Sequence, residues 1–324
     1  MSSKNIVIVS PALSDANNGN WQTAKRWAQL LSPQYRTRIV KDWPDIHAQS
    51  DDTLIALHAR RSAASVAAWH AQHGSARLVV VLTGTDLYRD IHTDTQAQQS
   101  LDAAGALVVL QGLGLNALQP QHRAKAQVVL QSTSSRQTLP KTKKRLHAVM
   151  VGHLRDEKLP QTLFAAARLL QAREDISIEH IGAGLDADLT QSAMDTEATC
   201  ALYRWLGALK HTQTRGKIQR AHVLVHTSKM EGGAHVVMEA VCSGTPVIAS
   251  DIPGNVGMLG GDYEGYFPVG DAAALALLLV RCKDEARFID TLRSQCALRA
   301  PLFAPQAEQT ALLRLVMSLP KTPC

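Results

Sequence analysis

The chain alternates between short, almost wholly apolar runs rich in valine, isoleucine and leucine and longer stretches where apolar residues recur every three or four positions. The first kind marks strands buried on both faces, and the second marks helices that cover them. The pattern predicts a strand at Ile6 to Val9, a helix from about Trp21 to Leu31, strands at Thr37 to Val40 and Thr53 to Leu57, and a helix from about Ala63 to Gln72. Strands at Leu78 to Leu82, Ala106 to Leu110 and Gln127 to Leu130 follow. Pro140 to Arg145 is polar and basic, and a fresh series opens after it. That series has a strand at His147 to Val151, a helix at Gln161 to Gln171, and strands at Ile176 to Ile181 and Val223 to His226. Its helices are Ala234 to Cys242, Ala272 to Val280 and Glu285 to Leu298, with Pro305 to Leu319 last. Such alternation predicts an α/β protein with parallel sheets. The interruption predicts two domains, residues 1–140 and 147–304, joined by a linker at 141–146.

Composition narrows the class. The 324 residues suffice for two α/β domains of ordinary size, and 45% hydrophobic with 19% charged residues describes a globular chain. The net charge of +6 is scattered and aromatic residues make up only 4%, so base stacking on nucleic acid is not expected and small anionic substrates are. Cys200, Cys242, Cys282, Cys296 and Cys324 show neither C-x-x-C pairing nor zinc spacing, which predicts no metal, no disulfide framework and a reducing, cytoplasmic home. The longest apolar run, Ala272 to Val280, falls far short of the about 20 residues of a membrane helix. No signal peptide and no membrane partner are expected.

The densest chemistry lies at Glu231 and Glu239, two carboxylates separated by seven residues across Gly232 and Gly233. A strand, a glycine turn and a helix stopped by Gly244 offer backbone N–H groups and a positive helix end to an anion such as a diphosphate. The carboxylates, acceptors only, suit sugar hydroxyls. After the second domain's first strand come Gly152, His153, Leu154, Arg155 and Lys158, three of them basic. Gly182-Ala183-Gly184 is a lone glycine turn that serves a dehydrogenase equally well, although the full G-x-G-x-x-G fingerprint is missing after the first strand. Asp186 and Asp188 sit where a helix starts and read as capping residues rather than metal ligands. In the first domain, strand ends are followed by Asn18-Gly19-Asn20, by His58, Arg60 and Arg61, and by Thr83-Gly84-Thr85-Asp86. Two arginines before a helix N-terminus oppose its dipole and invite an anion.

The E-x7-E pattern with its glycines and the Gly244, Pro246, Val247 sequel resembles the retaining nucleotide-sugar glycosyltransferases of the GT-B fold, family 4-like, which have two facing Rossmann-like domains with a cleft between them. The resemblance implies that Glu231 holds the donor sugar's hydroxyls and Glu239 the ribose, and that Leu206 and Gly207 lie beside the base. It also implies that residues 305–324 form a helix crossing back to the first domain. By the same resemblance Lys158 grips the departing diphosphate, and His153 stands where the wider family has arginine, with Arg155 as a second candidate for that charge. Gly232, Gly233 and Ala234 complete the donor side.

Further segments resemble one subfamily, the selenosugar synthases of selenoneine biosynthesis. They are Gly19-Asn20 with Thr23-Ala24 and Arg26-Trp27-Ala28, then Ala56 to Ala63, Leu82 to Asp90, Val151 to Arg155, Tyr203 to Gly207, Met230 to Ala234, Gly265 to Asp271 and Arg299 to Phe303. In that subfamily His153 is the expected residue. The implied reaction moves a glucose-type or N-acetylglucosamine-type unit from a UDP-sugar, a substrate rather than a cofactor, onto the selenium of selenophosphate. The implied acceptor residues are Asn18, Gly19, Asn20, His58, Arg60, Arg61, Thr83, Gly84, Thr85 and Asp86. An O-glycosyltransferase of the same fold, acting on a hydroxyl, is the alternative.

Overall fold

A computed structural model describes residues 4–13 and 19–320. The chain forms two compact units, one of residues 1–132 with 304–324 and one of residues 133–303. The division falls before the expected linker at 141–146, because residues 133–140 pack with the second unit. Arg136 donates its N–H to the Cys242 carbonyl at 2.8 Å, and Arg215 grips the Ser134 carbonyl at 2.7 Å.

The first unit holds a six-stranded parallel sheet of β1 Asn5–Val9, β2 Arg36–Val40, β3 Thr53–Leu57, β4 Leu78–Leu82, β5 Ala106–Val109 and β6 Ala126–Val128, in the order β2-β1-β3-β4-β5-β6. Successive side chains of a strand point to opposite faces, so each apolar strand feeds two cores. Val7, Val9, Leu54 and Ala56 meet Trp43 and Trp69 on one side. On the other, Ile6, Ile8, Ile55 and Leu57 meet Trp27 and Leu31 of the Gly19–Leu31 helix, and Leu312, Leu315 and Val316 of the Pro305–Ser318 helix. That last helix is fastened by Glu308, a buried carboxylate. It accepts from Arg26 Nε at 2.7 Å, Trp27 Nε1 at 2.7 Å and the Ser132 N–H at 2.8 Å.

The second unit repeats the scheme with β7 Leu146–Val151, β8 Ile176–Ile181, β9 Tyr203–Trp205, β10 Val223–His226, β11 Val247–Ser250 and β12 Tyr266–Phe267, in the order β12-β11-β10-β7-β8-β9. All pairings are parallel. Helical periodicity located most of the long helices to within a few residues. The expected Ala234 to Cys242 helix is His235–Val241, and the one from Ala272 continues to Asp284. Asp186 caps the Ala187–Thr199 helix by accepting the Leu189 N–H at 3.0 Å, the capping role its sequence position predicts.

Each sheet has a point where the strand order reverses. In the first unit β1 is followed by β2 on one side, and the chain then returns to lay β3 on the other. In the second, β7 runs outward through β8 and β9 before β10 is laid on its opposite edge. Loops leaving neighbouring strands in opposite directions open a crevice at the strands' carboxyl ends, where ligands of such sheets bind.

Candidate active site

In the second unit the crevice is walled by the loop after β7, residues 152–159, and the loop after β10, residues 227–234. Three contacts stitch the loops together. Thr227 Oγ1 donates to the Lys158 carbonyl at 2.6 Å, the Lys229 N–H donates to the Glu157 carbonyl at 3.0 Å, and Lys229 Nζ pairs with Asp156 at 2.7 Å. Leu159 then takes a positive φ of 46°, turning the chain sharply into the Pro160–Leu169 helix. The backbone of Lys158 is thereby held from both sides.

Its ammonium is hydrogen-bonded to Glu231 Oε1. Both side chains are mostly covered, at 14% and 13% exposure, so the pair sits in the crevice rather than on open surface. Burial pushes the Glu231 carboxyl up, but Lys158 and His226 outweigh it and hold the group well below the usual carboxylate range. A Cβ on Gly254 would collide with the Glu231 carbonyl, so only glycine lets the Pro253–Leu259 helix support this turn. Without ligand, then, the residue expected on the sugar and the residue expected on the diphosphate neutralise one another.

His153 half-buries its ring beside them. The Ala183 N–H donates to His153 Nδ1 at 2.9 Å, which leaves the proton on Nε2. Burial, Arg155 and Lys158 all lower its pKa, so at neutral pH it offers one neutral N–H donor and no positive charge. Arg155 is exposed, 3.9 Å from Glu157.

Behind the loop, His180 Nε2 donates to the Gly152 carbonyl at 3.0 Å while its Nδ1 accepts from Tyr203 Oη at 2.9 Å. Burial holds this histidine down to about 4. Gly182 is needed for packing, since a Cβ there would strike the Gly152 carbonyl.

Glu239 is buried on the His235–Val241 helix, where its Oε1 accepts from His211 Nε2 at 2.6 Å with Arg215 Nε 4.0 Å away. Ala234 is not a free amide, because its N–H points at Met258 Sδ at 3.2 Å. Gly232 and Gly233 form the bend between Glu231 and the helix. Leu206 borders an open groove of about 620 Å³ between β9 and the His211–Arg220 helix, lined also by Arg204, Lys217 and Arg220 and by neither Lys158 nor Glu231.

The corresponding crevice of the first unit is organised differently. A π-helical turn at Asp86–Asp90 points both aspartates at the end of β3, and such turns are frequent at functional sites. Asp86, expected on the acceptor, is instead fully buried. It accepts from the N–H groups of Ala59 at 2.9 Å, Thr83 at 2.8 Å and Gly84 at 2.9 Å, so those amides of the Thr83-Gly84-Thr85 turn are spent internally.

Asp90 takes Arg60 Nε at 2.9 Å and Arg89 Nε at 3.0 Å, so the charge of Arg60 is already balanced while Arg61 is exposed. His58 is 2% exposed with a positive φ of 74°, a strained conformation for its residue type. Its Nδ1 accepts the Arg61 N–H at 3.4 Å and its Nε2 meets Thr85 Oγ1 at 3.1 Å. Burial lowers its pKa, partly opposed by Asp86. Gly19 and Asn20 open the Gly19–Leu31 helix, and Asn18 lies outside the described residues.

Sequence reasoning passed over His226, His211, His180 and Asp90. A readable signal existed for two of them: His226 is the polar end of an otherwise apolar strand, and Asp90 lies four residues after Asp86. Among the described residues no cluster of three or more histidine, cysteine, aspartate or glutamate side chains is placed to hold a metal, and no helix is long and apolar enough to cross a membrane.

Two parallel six-stranded α/β units of this topology define the GT-B glycosyltransferase fold, and residues 131–287, most of the second unit, match the model of the family described as glycosyl transferases group 1. Among solved structures, the chain is similar to sucrose-phosphate synthase from Thermosynechococcus elongatus, with a TM-score of 0.78 and 16% identity over 97% of this chain and 98% of that one. It is also similar to Anabaena HepE solved with UDP and glucose, at TM-score 0.75 and 16% identity over 98% and 100%. The pneumococcal O-GlcNAc transferase GtfA, solved with UDP and GlcNAc, matches at TM-score 0.66 and 17% identity over 82% and 57%. No curated protein matches the chain at a significant level.

Proposed function

We propose that this chain is a UDP-sugar-dependent glycosyltransferase that moves a glucose-type or N-acetylglucosamine-type unit onto the selenium of selenophosphate, giving a 1-selenosugar. The observation that carries the donor half is the Lys158–Glu231 pair at the strand-order reversal of the second sheet. An arriving UDP-sugar exchanges that pair for two better ones. Its diphosphate takes the Lys158 ammonium and the His153 Nε2–H, and its sugar hydroxyls take the freed carboxylate. The HepE and GtfA structures, solved with UDP, support the nucleotide. In the reaction the selenium lone pair attacks the sugar C1, the C1–O bond to the diphosphate breaks, and UDP leaves with the electron pair. The product still carries its phosphate on selenium, and later hydrolysis of the Se–P bond by water releases inorganic phosphate and leaves the 1-selenosugar. Catalysis then rests on stabilising charge on the leaving group, because anionic selenium has little need of a general base.

For the acceptor, this reading uses His58, Thr85 and exposed Arg61 in the first unit, with Asp86 as scaffold. Three guanidiniums against two carboxylates there leave a small positive excess, which suits an anion. The pairing of Arg60 and Arg89 with Asp90 favours a second reading, transfer to a neutral hydroxyl.

Product analysis separates the two. Purified protein with selenophosphate and a panel of UDP-sugars under anaerobic, reducing conditions is expected to yield UDP and a selenium-containing sugar by mass spectrometry. UDP release with hydroxyl acceptors but none with selenophosphate would replace the first reading with the second.

A further inference from the structure

Glu231 has a second side-chain partner that the motif does not account for. His226 is the last residue of β10, after Val223, Leu224 and Val225, and it is 1% exposed. Its Nε2 lies 3.5 Å from Glu231 Oε1 and 3.2 Å from Ser228 Oγ. Its Nδ1 is equally buried and has no hydrogen-bond partner. A buried ring nitrogen without a partner is unfavourable, and an apolar side chain would avoid the cost. Space filling therefore does not explain a histidine at this strand end.

The geometry at Glu231 does. The Lys158 ammonium and His226 Nε2 both address the same oxygen, Oε1. A lysine on a flexible four-carbon stem cannot by itself fix the rotation of a carboxylate. A second donor rooted in a strand can, because its ring has only two side-chain torsions and is packed on all sides. With Oε1 committed to the protein, Oε2 is turned away from both donors.

We propose that His226 is a positioning residue that fixes the Glu231 carboxylate through Nε2–H, so that Oε2 is presented to the hydroxyls of the donor sugar. The proposal rests on the donor reading given above. It also separates the two halves of the donor: UDP is held by other groups, and only the sugar's share of the binding passes through His226.

The test compares UDP with UDP-glucose by calorimetric titration of the full chain and three variants. In His226→Leu, UDP is expected to bind within about 2-fold of the wild-type affinity while UDP-glucose weakens by about 10-fold, the scale of one hydrogen bond lost from a charged group. In His226→Gln the side-chain amide reaches the Nε2 position and is expected to restore UDP-glucose binding. In His226→Asn the amide falls at the Nδ1 position and is expected to behave as His226→Leu. Melting curves identify any variant that has lost its fold, and the glutamine–asparagine contrast then carries the result. UDP-glucose binding unchanged in His226→Leu, or restored equally by asparagine and glutamine, would overturn the proposal alone. Failure of the wild-type chain to bind UDP would overturn the donor reading and this proposal with it.

Discussion

Asp86 in the first unit and Glu231 in the second are both carboxylates set beside the strand-order reversal of a parallel sheet, yet they are satisfied in opposite ways. Asp86 is surrounded by backbone: Ala59, Thr83 and Gly84 each give it an N–H. Glu231 is surrounded by side chains, the Lys158 ammonium and the His226 ring. A backbone donor cannot leave without unfolding its loop, so the first arrangement is a scaffold. A lysine can swing, so the second can trade partners with a ligand at little structural cost. On the donor reading proposed above, the type of donor is what separates Glu231 as a binding carboxylate from Asp86 as a structural one.

Several experiments bear on that distinction. Lys158→Ala removes the exchangeable cation, and UDP release assays are expected to show kcat falling by roughly 10²- to 10³-fold with the fold retained. A loss below tenfold would mean that His153 and Arg155 carry the leaving-group charge. Asp86→Ala strands three backbone N–H groups and is expected to cost about 3 kcal/mol in urea denaturation, while Asp86→Asn, which keeps one acceptor, costs about half as much. Near-neutral stability of Asp86→Ala would return this residue to the list of ligand contacts.

Acid titration probes the second unit. His180 is held down to about 4 by burial against an ordinary 6.5, with the Gly152 carbonyl opposing only in part. Its folded pKa is depressed, so its contribution is fully present above pH 6.5 and is lost as the pH falls through 4. The loss is on the order of 3 kcal/mol across that window. Melting temperatures measured between pH 7 and 4 should fall accordingly, and His180→Phe should flatten the dependence. Smallest is Arg61→Ala, an exposed substitution expected to change stability by less than about 0.5 kcal/mol. Steady-state kinetics should nonetheless show a severalfold higher KM for an anionic acceptor and an unchanged KM for the donor.

Much of the architecture was legible beforehand because fully buried parallel strands are written as unbroken apolar runs. Leu78 to Leu82 and Val223 to His226 could be placed to the residue. Short edge strands such as Tyr203–Trp205 and Tyr266–Phe267, and the Pro253–Leu259 helix, were not, since two to seven residues carry too little periodicity to stand out. The division of the chain at Ser132 was hidden for a related reason. By sequence, residues 133–140 read as the end of the first domain, and it is long-range contacts, among them those of Arg215, Gln219 and Cys242, that bind them to the second unit.

At the site, the E-x7-E spacing drew attention to Glu231 and Glu239 and the family resemblance to Lys158, because a motif constrains residues close together along the chain. It could not tell which groups already had partners. That Lys158 rests on Glu231, that His153 carries its proton on Nε2 and that Asp86 also takes the Ala59 N–H are matters of distance between segments far apart in sequence, whereas the contacts of Asp86 with its own turn and of His226 with Glu231 are near in sequence but depend on how the local backbone folds. A chain's pattern records what each stretch must bury, and so it yields strands, helices and local motifs. Which hydrogen-bonding groups remain unspent at a strand's end depends on neighbours brought in by the sheet order, and that emerges only when the sheet is assembled.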